Sequence, residues 1–477
     1  MSGGRKGLTL AERLAEFICS VDYEEIPEEV IERTKIFLLD FIGTTLIASI
    51  NEFSKYCREL FLEFGGKPES SIIGDRENTS CLYASFINGF TPEIYDWTPD
   101  HRQLVHPSPL AIPPALALTE KRGLDGRTLI ESVIVGFEVS CRVSEAFLGF
   151  QFYTPYPPVF TIFGSAASAA KSLSLNREET VMALGIAGCR GEGLQEWKAG
   201  DGLVKPLHVG FAAMNGTLSA ILAERGFRGP KTVLEGRDGY LKAYAYKGRC
   251  DEEKIISGLG EEYRMMNTAF KPYPVCNPLQ PVIENTLYIV KTNRIRWKEV
   301  KKVFVKVSSA GQNYPFDRSR YRPRTLVEAQ FSIPYVVAAS IVRGRFTHLE
   351  LSRESLNDPD ILEMASRIEG VEDPEYTETF LRDPSRIPVY ISIRMKDGRD
   401  YDNFLDIPMG EPYNPRYEGK AQKFHEAIID KFRSIVSRIT PYKDLSDELI
   451  RLVMNLEKLE DIHELTDMLE EEPKEAK

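Results

Sequence analysis

Nowhere in the 477 residues does an apolar run approach the ~18–20 positions a membrane-spanning helix needs. The start, M-S-G-G-R-K-G, also lacks the apolar core of a secretion signal, so a cytoplasmic protein is expected. Cysteine is sparse: seven residues, an odd number, lie scattered from Cys19 to Cys276 with no C-x-x-C pair. That pattern belongs to a reduced protein without a zinc knuckle. No H-E-x-x-H, P-loop or dinucleotide-binding glycine fingerprint occurs, so neither a metal nor an organic cofactor is expected. Positive charge is also short, with 60 Lys and Arg against 71 Asp and Glu and a net charge of −11. The deficit argues against nucleic acid or an anionic membrane as partner. It would repel a small polyanion too, unless one pocket is locally basic.

What is present is ordinary globular composition, 42% hydrophobic and 27% charged. The length exceeds the ~250–300 residues at which single cores stop growing, so more than one domain is expected. Thr9 and Glu12 form a T-x-x-E capping box before a helical apolar stripe, and Pro27 is placed to open a second helix. Further helices are predicted over Cys81–Phe90, from Pro113-Pro114 to Gly123, over the small-residue stretch Gly164–Lys171, after an Asn176–Glu179 cap, and over Pro206–Glu224. Residues 1–268 therefore read as helical. Val300–Val307 and Val389–Met395 carry strand composition, and Asp397-Gly398 suggests a hairpin turn. Phe331–Val342, Ala421–Ile439 and Leu445–Leu456 read as helices, and Asp467–Lys477 as a frayed tail. The fold class is mainly α: a large discontinuous all-helical domain (1–268 with 405–477) and a smaller α+β domain (269–404).

Three separated stretches hold the chemistry. Ile94–Pro107, I-Y-D-W-T-P-D-H-R-Q-L-V-H-P, brings Asp96, Asp100, His101, Arg102 and His106 into a segment where two prolines forbid continuous helix. Lys205-Pro-Leu-His208 stands at a helix entrance, where positive groups add to the helix dipole. Lys271-Pro-Tyr-Pro-Val-Cys276 lies where the texture changes from helix to strand, a usual place for a ligand cleft. Taken singly, each has an unremarkable alternative: a solvated loop, a surface lysine, a rigid hinge. Together, Arg102, Lys205 and Lys271 would form a basic pocket fit for a di- or tricarboxylate, with Asp96, His106 or Tyr273 beside it to move protons.

The chain resembles the MmgE/PrpD family, which includes 2-methylcitrate dehydratases, cis-aconitate decarboxylases and an iminodisuccinate epimerase. The likeness rests on L-L-D-F-I-G at Leu38–Gly43, H-P-S at His106–Ser108, I-P-P-A-L-A-L after Ile112 and G-S-A-A-S-A-A-K-S-L-S-L. It continues through K-P-L-H-V-G-F-A-A, R-G-F-R-G-P, K-P-Y-P-V-C and E-A-Q-F-S-I-P-Y to Asn414-Pro415. The resemblance implies a helical domain with an α+β lid, a homodimer, and a site between the domains without metal or organic cofactor. Its site residues fall on Asp96, His106, Lys205 with His208 beside it, and Lys271. Two family histidines are missing: F-Y-T-P-Y-P-P-V-F replaces a histidine-bearing stretch, and Gln280 stands where another is often found.

The expected activity is that of a lyase, first of all a dehydratase, forming a carbanion next to a carboxylate. Lys205 and Lys271 would stabilise that charge, Arg102 would orient a second carboxylate, and His106 would take the proton with Asp96 as its partner. Tyr273 and His208 are candidates for protonating a leaving hydroxyl, and Asp100, His101 and Cys276 for contacting substrate. Epimerisation and decarboxylation are the alternatives within the family, and a non-catalytic binding protein is the alternative outside it.

Overall fold

The computed structural model describes residues 7–147, 162–191, 193, 203–245, 249–309 and 316–475, and its architecture is mainly α-helical. The first helices are α1 Leu10–Ser20, α2 Glu28–Ser49, α3 Glu52–Glu63, α4 Cys81–Phe90, α5 Ser108–Lys121, α6 Gly126–Glu145, α7 Ile162–Ser172, α8 Arg177–Gly188 and α9 Val204–Glu224. The capping boxes form as the sequence predicts. Thr9 Oγ1 accepts from the Glu12 amide at 3.2 Å while the Glu12 carboxylate accepts from the Thr9 amide at 2.9 Å, and Asn176 with Glu179 caps α8 likewise. Pro27 is the N-cap of α2 rather than its first residue.

Small side chains set the packing of α5, α6, α7 and α9. A methyl group on Gly164 would collide with Ser140 of α6, and one on Gly216 of α9 would collide with Ser165. The proline pair Pro113-Pro114 does not open a helix, as its sequence suggests, but lies inside α5. Proline at 114 leaves the Leu110 carbonyl without its donor four residues on. Ser165 Oγ of α7 replaces that donor at 2.7 Å. The helix consequently starts at Ser108, directly after His106-Pro107.

Later in the chain, Ile368–Glu372, Val300–Val307, Val389–Met395 and Asp400–Leu405 form a four-stranded sheet in that spatial order, the first pair parallel and the others antiparallel. In Val300–Val307 the valines at 300, 303, 305 and 307 are buried while Lys301 and Lys302 are exposed. Gly398 takes φ 94° in the expected hairpin turn. The Ile368–Glu372 strand was not evident from sequence; only its Ile368 is buried.

The helices Ala421–Val436 and Tyr442–Met454 bring the chain back onto α2. The contact is close: a methyl on Gly43 would come within 2.8 Å of the Phe432 ring. Beside it, Lys431 pairs with Asp40 at 2.7 Å, and both are buried. The frayed-tail reading is corrected. His463–Leu469 is a helix with Leu465 and Leu469 fully buried, and Lys474–Glu475 pairs with Ile439–Thr440. Tyr442 fastens this end by donating to the Leu469 and Glu471 carbonyls at 3.0 and 2.6 Å.

Candidate active site

Between α4 and α5 the chain makes a short 3₁₀ turn, Thr91–Tyr95, and then places Asp96 in the left-handed region at φ 50°. Arg102 and Gln103 follow at φ 52° and 58°. Such conformations are uncommon for residues with a Cβ and persist only where surrounding contacts enforce them. Here the turn's carbonyls are held by side chains distant in sequence. Gln330 donates to Ile94 O at 2.9 Å, Lys271 to Asp96 O at 3.1 Å and Lys431 to Trp97 O at 2.9 Å. A two-way backbone bridge between Asp100 and Ala269, at 2.9 and 3.0 Å, carries Lys271 against the same loop.

Three sequence stretches thus meet at one carboxylate. Asp96 Oδ1 lies 2.5 Å from Lys205 Nζ and 2.6 Å from Lys271 Nζ. His106 Nε2 is 3.5 Å from Lys271 Nζ, 3.4 Å from Asp100 Oδ2 and 3.7 Å from Asp96 Oδ1. On the other side of the ring, Nδ1 is 3.0 Å from Glu93 Oε1 and 3.1 Å from the Thr98 hydroxyl, which itself donates to Glu93. Glu93 Oε2 lies 3.5 Å from Lys205. Asp100 Oδ1 accepts from the Gln103 amide at 2.6 Å and from Asn277 at 3.3 Å. None of these ionisable groups is more than 7% exposed.

Burial opposes ionisation of all three acids, yet their neighbours prevail. Lys205 and Lys271 hold Asp96 below the usual carboxylate range, His106 and Lys205 do so for Glu93, and a hydrogen bond from His106 does so for Asp100. For Lys205, burial disfavours the charge, but Asp96 and Glu93 outweigh it and raise the ammonium. Cys276 lies near the same charges as a neutral thiol, pushed up to about 12 by burial and by Asp96.

The remaining predicted residues sit elsewhere around this cluster. Arg102 does not join the two lysines; its Nε lies 3.8 Å from Glu145 Oε1, so the cluster is charge-balanced rather than openly basic. His101 is fully buried, with Nδ1 3.0 Å from the Thr268 hydroxyl and Nε2 3.0 Å from Glu145. Glu145, which also binds Arg264 at 3.0 Å, is opposed by burial but lowered to about 2 by these partners, His101 first. Tyr273 lines a cavity of about 370 Å³ with Trp97, Phe270, Pro272 and Met409, and burial and then Glu284 push its phenol up. His208 lies half-buried on α9, three residues beyond Lys205. Gln280, in the place of a family histidine, brackets Tyr273 by accepting from its amide at 3.0 Å and donating to its carbonyl at 2.8 Å. The F-Y-T-P-Y-P-P-V-F stretch lies outside the described residues.

Sequence reasoning missed Glu93 and Thr98. The available signal was a lone acid, Glu93, in the otherwise uncharged stretch Leu82–Tyr95, three residues before Asp96. Ligand atoms of Glu93, Asp96 and His106 lie within 4.8 Å of one another, a spacing that could hold a metal ion. As arranged, however, the cations on these carboxylates are Lys205 and Lys271, and a divalent ion placed there would face two ammonium groups. The arrangement suits proton transfer and the stabilisation of negative charge by lysine.

Residues 12–253 match the MmgE/PrpD N-terminal domain and residues 273–457 the MmgE/PrpD C-terminal domain. The chain is 25% identical to a cis-aconitate decarboxylase of Aspergillus terreus over 98% of its own length and 97% of that protein. It is 26% identical to the human cis-aconitate decarboxylase, over 97% of this chain and 94% of that one. To 2-methylcitrate dehydratase of Escherichia coli it is 23% identical, over 58% and 57%. Both halves of the family pattern are present in order and together span most of the sequence, so the chain belongs to the MmgE/PrpD family and is an enzyme.

Proposed function

We propose that this enzyme is a lyase of a small di- or tricarboxylic acid, working without metal or organic cofactor through a carbanion adjacent to a carboxylate. The observation that carries the reading is the convergence of Lys205, Lys271 and His106 on Asp96. An ammonium group has three donors. Lys271 directs two at Asp96, whereas Lys205 reaches Asp96 closely and Glu93 only at 3.5 Å, so Lys205 retains capacity for a substrate carboxylate. Charge that develops on that carboxylate as the carbanion forms is stabilised more than the ground state is. His106 transfers the proton, Asp96 fixes the two lysines, and Arg102 and His208 meet outlying substrate groups. In this proposal residues 1–268 and 405–477 form the body, 269–404 the lid, and the enzyme is a homodimer.

Dehydration is the first reading. Decarboxylation is the second, favoured by nearly full-length likeness to cis-aconitate decarboxylases. There carbon dioxide leaves in place of the α-proton, and His106 returns a proton to the carbanion. Incubation with hydroxylated and unsaturated di- and tricarboxylic acids separates them. A dehydratase yields an alkene absorbing in the ultraviolet, a decarboxylase releases carbon dioxide, and an epimerase only exchanges solvent deuterium into the α-carbon. Failure of all three signals across the panel would overturn the proposal.

A further inference from the structure

We infer that Glu93 is the positioning residue of this site: it holds the His106 ring with its Nδ1 proton directed at Glu93, so that proton transfer to and from substrate takes place at Nε2. The inference rests on the acid–base role proposed for His106 and adds which nitrogen reacts and what sets it.

Glu93 is 1% exposed and reaches two members of the cluster at once, His106 Nδ1 at 3.0 Å through Oε1 and Lys205 Nζ at 3.5 Å through Oε2. The Thr98 hydroxyl donates to the same Oε1 and lies 3.1 Å from Nδ1, so Thr98 closes a triangle about that bond. Burial opposes the charge on Glu93, but His106 and Lys205 hold the carboxyl well below its usual range, so it is an acceptor only. A hydrogen bond between such a carboxylate and an imidazole nitrogen must take its proton from the ring. Nδ1 therefore carries hydrogen, and the second nitrogen is the one whose proton comes and goes.

That second nitrogen faces the chemistry. Lys271 Nζ at 3.5 Å can donate to a bare Nε2, and Asp100 Oδ2 at 3.4 Å can accept from a protonated one. The ring is thus supported in both protonation states without turning. Glu93 contacts His106 at Nδ1, not at Nε2, and so acts through the ring. Removing its charge while keeping its shape lets the ring adopt the opposite tautomer, in which Nε2 is blocked as a base.

The test has two arms. Nitrogen-15 and proton NMR of the free wild-type enzyme, with the His106 signals assigned by comparison with His106→Ala, should show hydrogen on Nδ1. In Glu93→Gln that signal should weaken or move to Nε2. Kinetically, Glu93→Gln should lower kcat/KM by roughly 10²–10⁴-fold, the range for general acid–base groups, with the larger part in kcat. Its pH–rate profile should also differ from that of wild type, a change that a merely structural role for Glu93 would not produce. Glu93→Asp should recover part of the rate. A wild-type ring with hydrogen only on Nε2 overturns the inference, as does a folded Glu93→Gln enzyme with unchanged rate and pH profile. The wild-type spectrum requires neither turnover nor a folded Glu93 variant, so failure to find a substrate counts against the proposed function alone.

Discussion

At Asp96 a buried carboxylate oxygen receives two ammonium groups while the backbone beneath it sits at φ 50°. Replacing the acid by its amide keeps the shape and removes the countercharge of both lysines. Asp96→Asn should therefore lower kcat/KM by at least about 10²-fold, as for loss of a preorganised electrostatic partner, measured by steady-state turnover of the identified substrate. A second residue-scale consequence concerns His425, away from the site. Burial, with Arg33 nearby, lowers it from an ordinary 6.5 to about 4. Between these values the unfolded chain binds a proton that the folded chain refuses, so stability falls as pH drops from 6.5 toward 4. Urea unfolding across that window should show the loss in wild type and a flatter slope in His425→Leu. How much of the site can be read from sequence also follows from single residues. Asp96, His106, Lys205 and Lys271 stand in stretches that residue type singles out and that the family resemblance marks, although spacing alone does not bring them together. Glu93 does not, because its role depends on which way a short 3₁₀ turn directs one side chain. Arg102 looked like part of a basic pocket until the fold set Glu145 beside it.

Helices and strands with a clear period were legible; those governed by distant contacts were not. The Cys81–Phe90 helix and the Val300–Val307 strand carry their own boundaries, a serine cap in the first case and alternating buried valines in the second. Helix α5 does not, since the donor that Pro114 removes is replaced by a hydroxyl from α7, distant in sequence. The strand Ile368–Glu372 lacked a sequence signal because one pairing edge, not a buried face, defines it. Helix Ala421–Val436 is tied to the site from outside it: its Lys431 joins Asp40 of α2 to the Trp97 carbonyl beside Asp96. Removing one partner of a buried ion pair is expensive. Lys431→Met should destabilise by about 3–5 kcal/mol in denaturant unfolding, and Asp40→Leu with Lys431→Met together by clearly less than the sum of the single changes. The final helix is likewise structural. Truncation after Glu460 strips Leu465 and Leu469 from the core and two acceptors from Tyr442. At roughly 1.5–3 kcal/mol for each buried leucine, it should lower the melting temperature by several degrees.

Over the whole molecule, the proposed acidic substrate would have to be taken up by an acidic chain. A net charge of −11 repels polyanions at long range, but salt screens that field beyond about 8–10 Å. At close range two buried lysines lie where α9, the Lys271 segment and the Asp96 loop meet. Each element alone has a bland reading; only the fold assembles them. The most direct measurement is turnover of a panel of di- and tricarboxylic acids in deuterated solvent by wild type, His106→Ala and Lys271→Ala, product and label being read by mass spectrometry. The account predicts a lyase product or α-carbon exchange from wild type, with rates lower by roughly 10²–10⁴-fold in both folded variants. A wild type inert toward every acid, or variants that work at near wild-type speed, would contradict it.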